Sequence, residues 1–181
     1  MKHLFSFLIL AISFNAFADS GNVEKPFSLG IGTYRSVIAT DNSSYEDDEL
    51  SGLAFTFGYA LSDNVAFRGT YFSLEHDDFS DLESTGIDLL AYFGTGLASE
   101  GFKAYIGGGL FKDKWEVGSF SETFDGLQLN GGLGYNWESV SLDLVLGIRD
   151  PSDYEDFVNS TIATDFSATA VTSSLLLSYR F

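Results

Sequence analysis

The chain has no cysteine, two prolines and two histidines among its 181 residues. Without cysteine there is no disulfide framework, so a packed core or a surrounding lipid must hold the fold. Basic residues are scarce: 9 Lys and Arg stand against 26 Asp and Glu, a net charge of -17. That balance excludes a nucleic-acid partner, because phosphates require a basic surface. No Gly-rich phosphate loop, zinc-ligand spacing or nucleophilic cysteine occurs, so neither a cofactor nor a metal is expected. Long apolar runs are missing too. A transmembrane helix needs roughly 20 apolar residues, and no segment of the chain reaches that.

The one compact apolar run stands at the start. Lys2 and His3 give a short basic lead, Leu4 to Phe14 is apolar, and Ala16-Phe17-Ala18 has the small-x-small form of a cleavage site. This pattern predicts a cleaved signal peptide over residues 1–18 and a single exported domain over 19–181. Loss of Lys2 with the leader leaves 8 basic against 26 acidic residues, or -18.

Glycine (19) and phenylalanine (18) are abundant. Together with so little proline they indicate a sheet protein with close backbone approaches. Period-two alternation confirms that direction. Leu127, Leu129, Leu133, Tyr135 and Trp137 fall on one face, and Gln128, Asn130, Gly132, Gly134 and Asn136 on the other. Val140, Leu142, Leu144, Leu146 and Ile148 likewise oppose Ser141, Asp143, Gly147 and Arg149. The same reading predicts eight strands: Phe27–Ile38, Ser51–Ala60, Val65–Glu75, Thr85–Leu97, Phe102–Trp115, Asp125–Trp137, Val140–Asp150 and Ala168–Phe181. Their connections alternate. Leu61–Asn64, Ala98–Gly101 and Glu138-Ser139 are short, whereas Ala39–Leu50, His76–Ser84, Glu116–Phe124 and Pro151–Ser167 are long. The expected architecture is an all-β, eight-stranded antiparallel up-and-down transmembrane β-barrel, with both termini periplasmic and four long loops extracellular.

Alternation does not say which face is inside, and a soluble lipocalin-like barrel shares the period with its apolar face inward. Charge segregation and aromatics favour the membrane form. Arg68, Asp88, Asp143, Arg149 and Arg180 all fall on one face, whereas the other is nearly free of ionisable groups. Arg or Lys on a lipid face costs about 2–4 kcal/mol at midplane. Phe27, Tyr59, Phe67, Phe102 and Trp137 mark the ends of strands near the short turns, as an aromatic belt does.

The chain ends in "TSSLLLSYRF". Counting back by twos puts Phe181, Tyr179, Leu177 and Leu175 on the outward face. This end resembles the recognition signal of outer membrane barrels, in which a terminal Phe and an aromatic two residues earlier are read by the barrel-assembly machinery. It departs from that signal at Leu176, where a glycine is usual. With the signal peptide and eight strands, the chain resembles the small OmpA/OmpX/opacity-type outer membrane barrels. The resemblance implies residence among outer membrane lipids and lipopolysaccharide.

An eight-stranded barrel has an interior that side chains just fill. The five inward charges are therefore expected to form an ion-pair network, since an unpaired buried charge is costly. A gate or proton path is the sharper alternative. Inward glycines such as Gly107, Gly132 and Gly134 either relieve curvature or leave room for a narrow ligand. The long loops are acidic: Asp41, Glu46, Asp47, Asp48 and Glu49 make one cluster that suits divalent cations, or else stays solvated. No calcium-loop motif accompanies it. Catalytic residues are not expected, because His76 is the one histidine after the leader and its sequence neighbours Asp77, Asp78 and Ser80 do not make a triad. The expected function is a non-enzymatic structural or surface-interaction barrel. A narrow channel or ligand-binding barrel is the alternative, and a lipid A-modifying enzyme the third.

Overall fold

The computed structural model describes residues 23–40, 48–76, 81–155, 159 and 168–181. The leader lies outside them, as do Asp41, Glu46 and Asp47 of the acidic cluster and Asp77, Asp78 and Ser80 beside His76. Eight strands follow in order: β1 Phe27–Thr40, β2 Asp48–Ala60, β3 Val65–His76, β4 Leu82–Thr95, β5 Gly101–Val117, β6 Phe120–Asn136, β7 Val140–Arg149 and β8 Ala168–Arg180. Each pairs antiparallel with its sequence neighbours, and β8 returns to β1 to close the barrel. Closure leaves no sheet edge along the seam, which removes the liability of unpaired backbone groups.

Sidedness follows the alternation. Leu127, Leu144 and Phe57 point outward at 64%, 51% and 49% exposure, while Asp143 and Arg149 are buried in the interior. The soluble-barrel alternative, which needs the apolar face inside, does not describe this molecule. Leu175, Leu177, Tyr179 and Phe181 also face outward.

The third long loop, expected over Glu116–Phe124, is not a loop. β5 and β6 continue their ladder to Val117↔Phe120, and the turn is made at Gly118, whose φ of +59° suits glycine. Charged residues on the outward face are the reason for the difference. Lys112, Lys114 and Glu116 occupy outward positions where lower down the strand has Ile106 and Leu110. The polarity contrast between the two faces fades there, while the backbone pairing carries on. The first loop is shorter than expected for the same reason, since β1 runs to Thr40 and β2 begins at Asp48.

At the end with the short connections the turns hold one another. Asp63 accepts hydrogen bonds from the backbone N–H groups of Gly96, Ala98 and Ser99 at 3.0, 3.2 and 2.8 Å. Asn136 donates to the carbonyls of Gly96 and Ser99 at 2.8 and 2.9 Å. Lys25 reaches the third turn, donating to Ser139 Oγ at 2.9 Å. Leu97 packs on the core from this rim. At the opposite end, a short helical turn after β7 lays Tyr154 against Phe124, with ring centroids 4.4 Å apart.

Candidate functional site in the barrel interior

Two charged layers fill the interior. The layer nearer the long connections centres on Arg149 of β7, which is buried. Its guanidinium donates to Asp88 Oδ1 of β4 at 2.9 Å, to Asp113 Oδ2 of β5 at 3.2 Å, to the Tyr34 hydroxyl at 2.9 Å and to Gln128 Oε1 at 3.2 Å. Tyr34 in turn donates to Asp88 Oδ2 at 2.7 Å. Aromatic faces flank the cation, with Phe111 and Phe72 at 4.6 and 5.1 Å from it. Asp113 also accepts from Trp115 Nε1 at 3.2 Å, from the Tyr154 hydroxyl at 3.1 Å and from Ser84. Burial and the Asp113 carboxylate push the Tyr154 phenol upward, so it stays a donor.

The second layer centres on Asp143 of β7. Lys103 donates to it at 2.8 Å, Arg68 at 3.3 Å, Ser141 at 2.9 Å and Tyr105 at 2.5 Å. Arg68 lies over the Tyr92 and Tyr105 rings at 5.1 and 5.6 Å.

Of the five charges expected to pair, four do: Arg149 with Asp88, and Arg68 with Asp143. Arg180 does not. It donates to the carbonyls of Trp137, at 3.2 Å, and Ala98. It sits at the last ladder position of β8, where the rim offers backbone oxygens. Lys103, Asp113, Tyr34 and Tyr105 complete the layers and were not anticipated. Lys103, Tyr105 and Asp113 share the inward parity of Gly107 and Gly109 on β5, so counting by twos would have found them.

At two of the inward glycines the released space is already taken. A Cβ on Gly132 would lie 2.3 Å from the Tyr105 ring, and one on Gly86 would lie 2.3 Å from the Phe72 ring. The rings occupy the space that the missing side chains release.

The belt residues sit as expected on the outside, in two groups. Phe27 contacts Tyr59 and Phe181 at centroid distances of 5.2 and 6.0 Å. Phe102 and Trp137 both meet Tyr135, at 4.9 and 4.8 Å. Phe67 is also exposed. Of the acidic cluster, Asp48 and Glu49 belong to β2, where Glu49 pairs with Arg35 and Asp48 lies 3.4 Å from His76. His76 closes β3 and is buried, in place of the loop position expected for it. Among the described residues no three His, Cys, Asp or Glu side chains are grouped to hold a metal.

No protein-family model and no curated protein matches the chain. Solved structures do. The Neisserial surface protein A structure aligns with 86% of this chain and 97% of its own, with a TM-score of 0.60 at 14% identity. The Yersinia pestis attachment invasion locus protein, Ail, aligns with 87% and 99%, with a TM-score of 0.59 at 18% identity. Ail in complex with the heparin analogue sucrose octasulfate gives 87%, 99%, a TM-score of 0.56 and 19%. The chain therefore has the fold of the small eight-stranded outer membrane β-barrels.

Proposed function

We propose that this chain is a non-enzymatic barrel of the bacterial outer membrane, with both termini periplasmic, and that it acts through the surface it presents at its long connections. One observation carries the reading. Around all eight strands, the outward positions expose Leu, Ile, Phe, Val or Tyr in a continuous band. A soluble monomer rarely exposes apolar patches beyond a few hundred Å², and hydrocarbon is the solvent such a band fits. The interior supports a display role over a transport role, because two layers of ion pairs and rings lie across it. Apart from Arg180, its acids and bases are engaged with one another, which supports the non-enzymatic reading.

The loop acids favour cationic or metal-bridged partners, including divalent ions shared with lipopolysaccharide phosphates. Ail was solved with a polyanionic heparin analogue. With its loop carboxylates, this chain is expected to run through a heparin column unretained. The terminal aromatic pair fits recognition by the barrel-assembly machinery.

Cell fractionation with a heat-modifiability gel tests the placement. Retention in the outer membrane and a migration shift on boiling are expected, whereas release with periplasmic contents overturns it. Planar-bilayer recording tests the plugged interior, which predicts no steady conductance.

A further inference from the structure

Three of the nine cations in the chain, Arg68, Lys103 and Arg180, line one cavity of about 40 Å³ near the rim of short turns. A fourth, Lys25, lines its outer edge and is engaged with the third turn. Asp143 is the one carboxylate in the cavity wall. It already accepts from Arg68, Lys103, Ser141 and Tyr105. Arg180 is buried, and among the described residues no carboxylate lies within 4 Å of its guanidinium. Besides Asp143, the rim carboxylates Glu100 and Asp63 act on it electrostatically, and Asp63 also accepts from three backbone N–H groups. Even without Lys25, the residues of the wall itself carry three positive charges against one negative, with Glu100 and Asp63 outside it at the rim. The other charged layer is the reverse, with Arg149 between Asp88 and Asp113. A surplus of enclosed charge is unfavourable unless a counter-charge joins it.

We propose that this cavity is a binding site for a small monovalent anion, a halide or a single carboxylate group. Size sets the class. A cavity needs about 10–15 Å³ to hold one water, so the space admits an ion of a few atoms. Donors suit it as well: Ser28 and Ser178, each with a hydroxyl, are among the lining residues with the three cations. The inference is independent of what the extracellular loops touch.

Chlorine NMR on the refolded full chain in zwitterionic detergent tests the site. A saturable broadening of the chloride line is expected, above that of protein-free micelles. Acetate should narrow it if the site also takes carboxylates; chloride broadening that resists acetate identifies a halide site. Arg180→Met should abolish the broadening. With chloride replacing gluconate at constant ionic strength, the unfolding midpoint should rise by about 3–6 °C for each tenfold excess over Kd, and the rise should vanish in Arg180→Met. A line no broader than that of empty micelles overturns the proposal, whether or not the variant refolds. So does broadening that survives Arg180→Met unchanged.

Discussion

Phe27 and Phe181 exchange backbone hydrogen bonds of 3.0 and 2.9 Å across the β1–β8 seam, and their rings lie 6.0 Å apart on the outer surface. The backbone bonds survive a change of side chain, but the ring contact does not. Phe181→Ala should cost the folded barrel only about 1 kcal/mol. If the ring is also read during assembly, the amount of barrel in the outer membrane should fall far more than that. Quantitative immunoblotting of membranes, set beside urea unfolding of the refolded variant in vesicles, separates the two effects.

Arg149 bridges two carboxylates from different strands. Arg149→Met leaves Asp88 and Asp113 buried without their cation, and breaking such a pair typically costs about 3–5 kcal/mol. The urea midpoint should drop steeply. Adding Asp88→Asn and Asp113→Asn should recover part of the loss, because the remaining groups are then neutral.

Gly131 and Gly132 are adjacent and face opposite ways. A Cβ on Gly131 finds its nearest atom at 4.0 Å, whereas one on Gly132 meets the Tyr105 ring at 2.3 Å. That ring is held by its hydrogen bond to Asp143 and has little room to retreat. Gly132→Ala should destabilise by about 1–3 kcal/mol, and Gly131→Ala should be nearly silent in the same unfolding assay.

Asp63 binds the rim turns through its ionised form. Partial burial alone would raise its pKa, but the hydrogen bonds from Ser99, Gly96 and Ala98 together hold it below the ordinary carboxylate value. Its contribution is therefore complete above the unfolded pKa of about 3.9 and fades as pH falls through the lower folded value. Asp63→Asn should unfold earlier than the parent at neutral pH. The gap should close in acid below about pH 4, as read from denaturant midpoints over a pH series.

Leu144 tests sidedness at one residue. Leu144→Arg places a cation on the apolar band, with an expected loss of about 2–4 kcal/mol in vesicles if the site lies near midplane. Equal stability of parent and variant would argue that the band does not face hydrocarbon.

Strand count, up-and-down order and the inward or outward sense of each residue were legible in the sequence. Each rests on period-two alternation, a local property that neighbouring residues carry by themselves. The same count by twos reaches Lys103 and Asp113, so their inward aim was legible although their partners were not. Only the tertiary structure decided that Arg149 meets Asp88 and Asp113, that Arg180 meets carbonyls, and that charged residues around Gly118 continue a hairpin. Those outcomes depend on strand register, on barrel closure and on how far a long side chain reaches across the interior. Residues tens of positions apart set these together, and no local pattern records them.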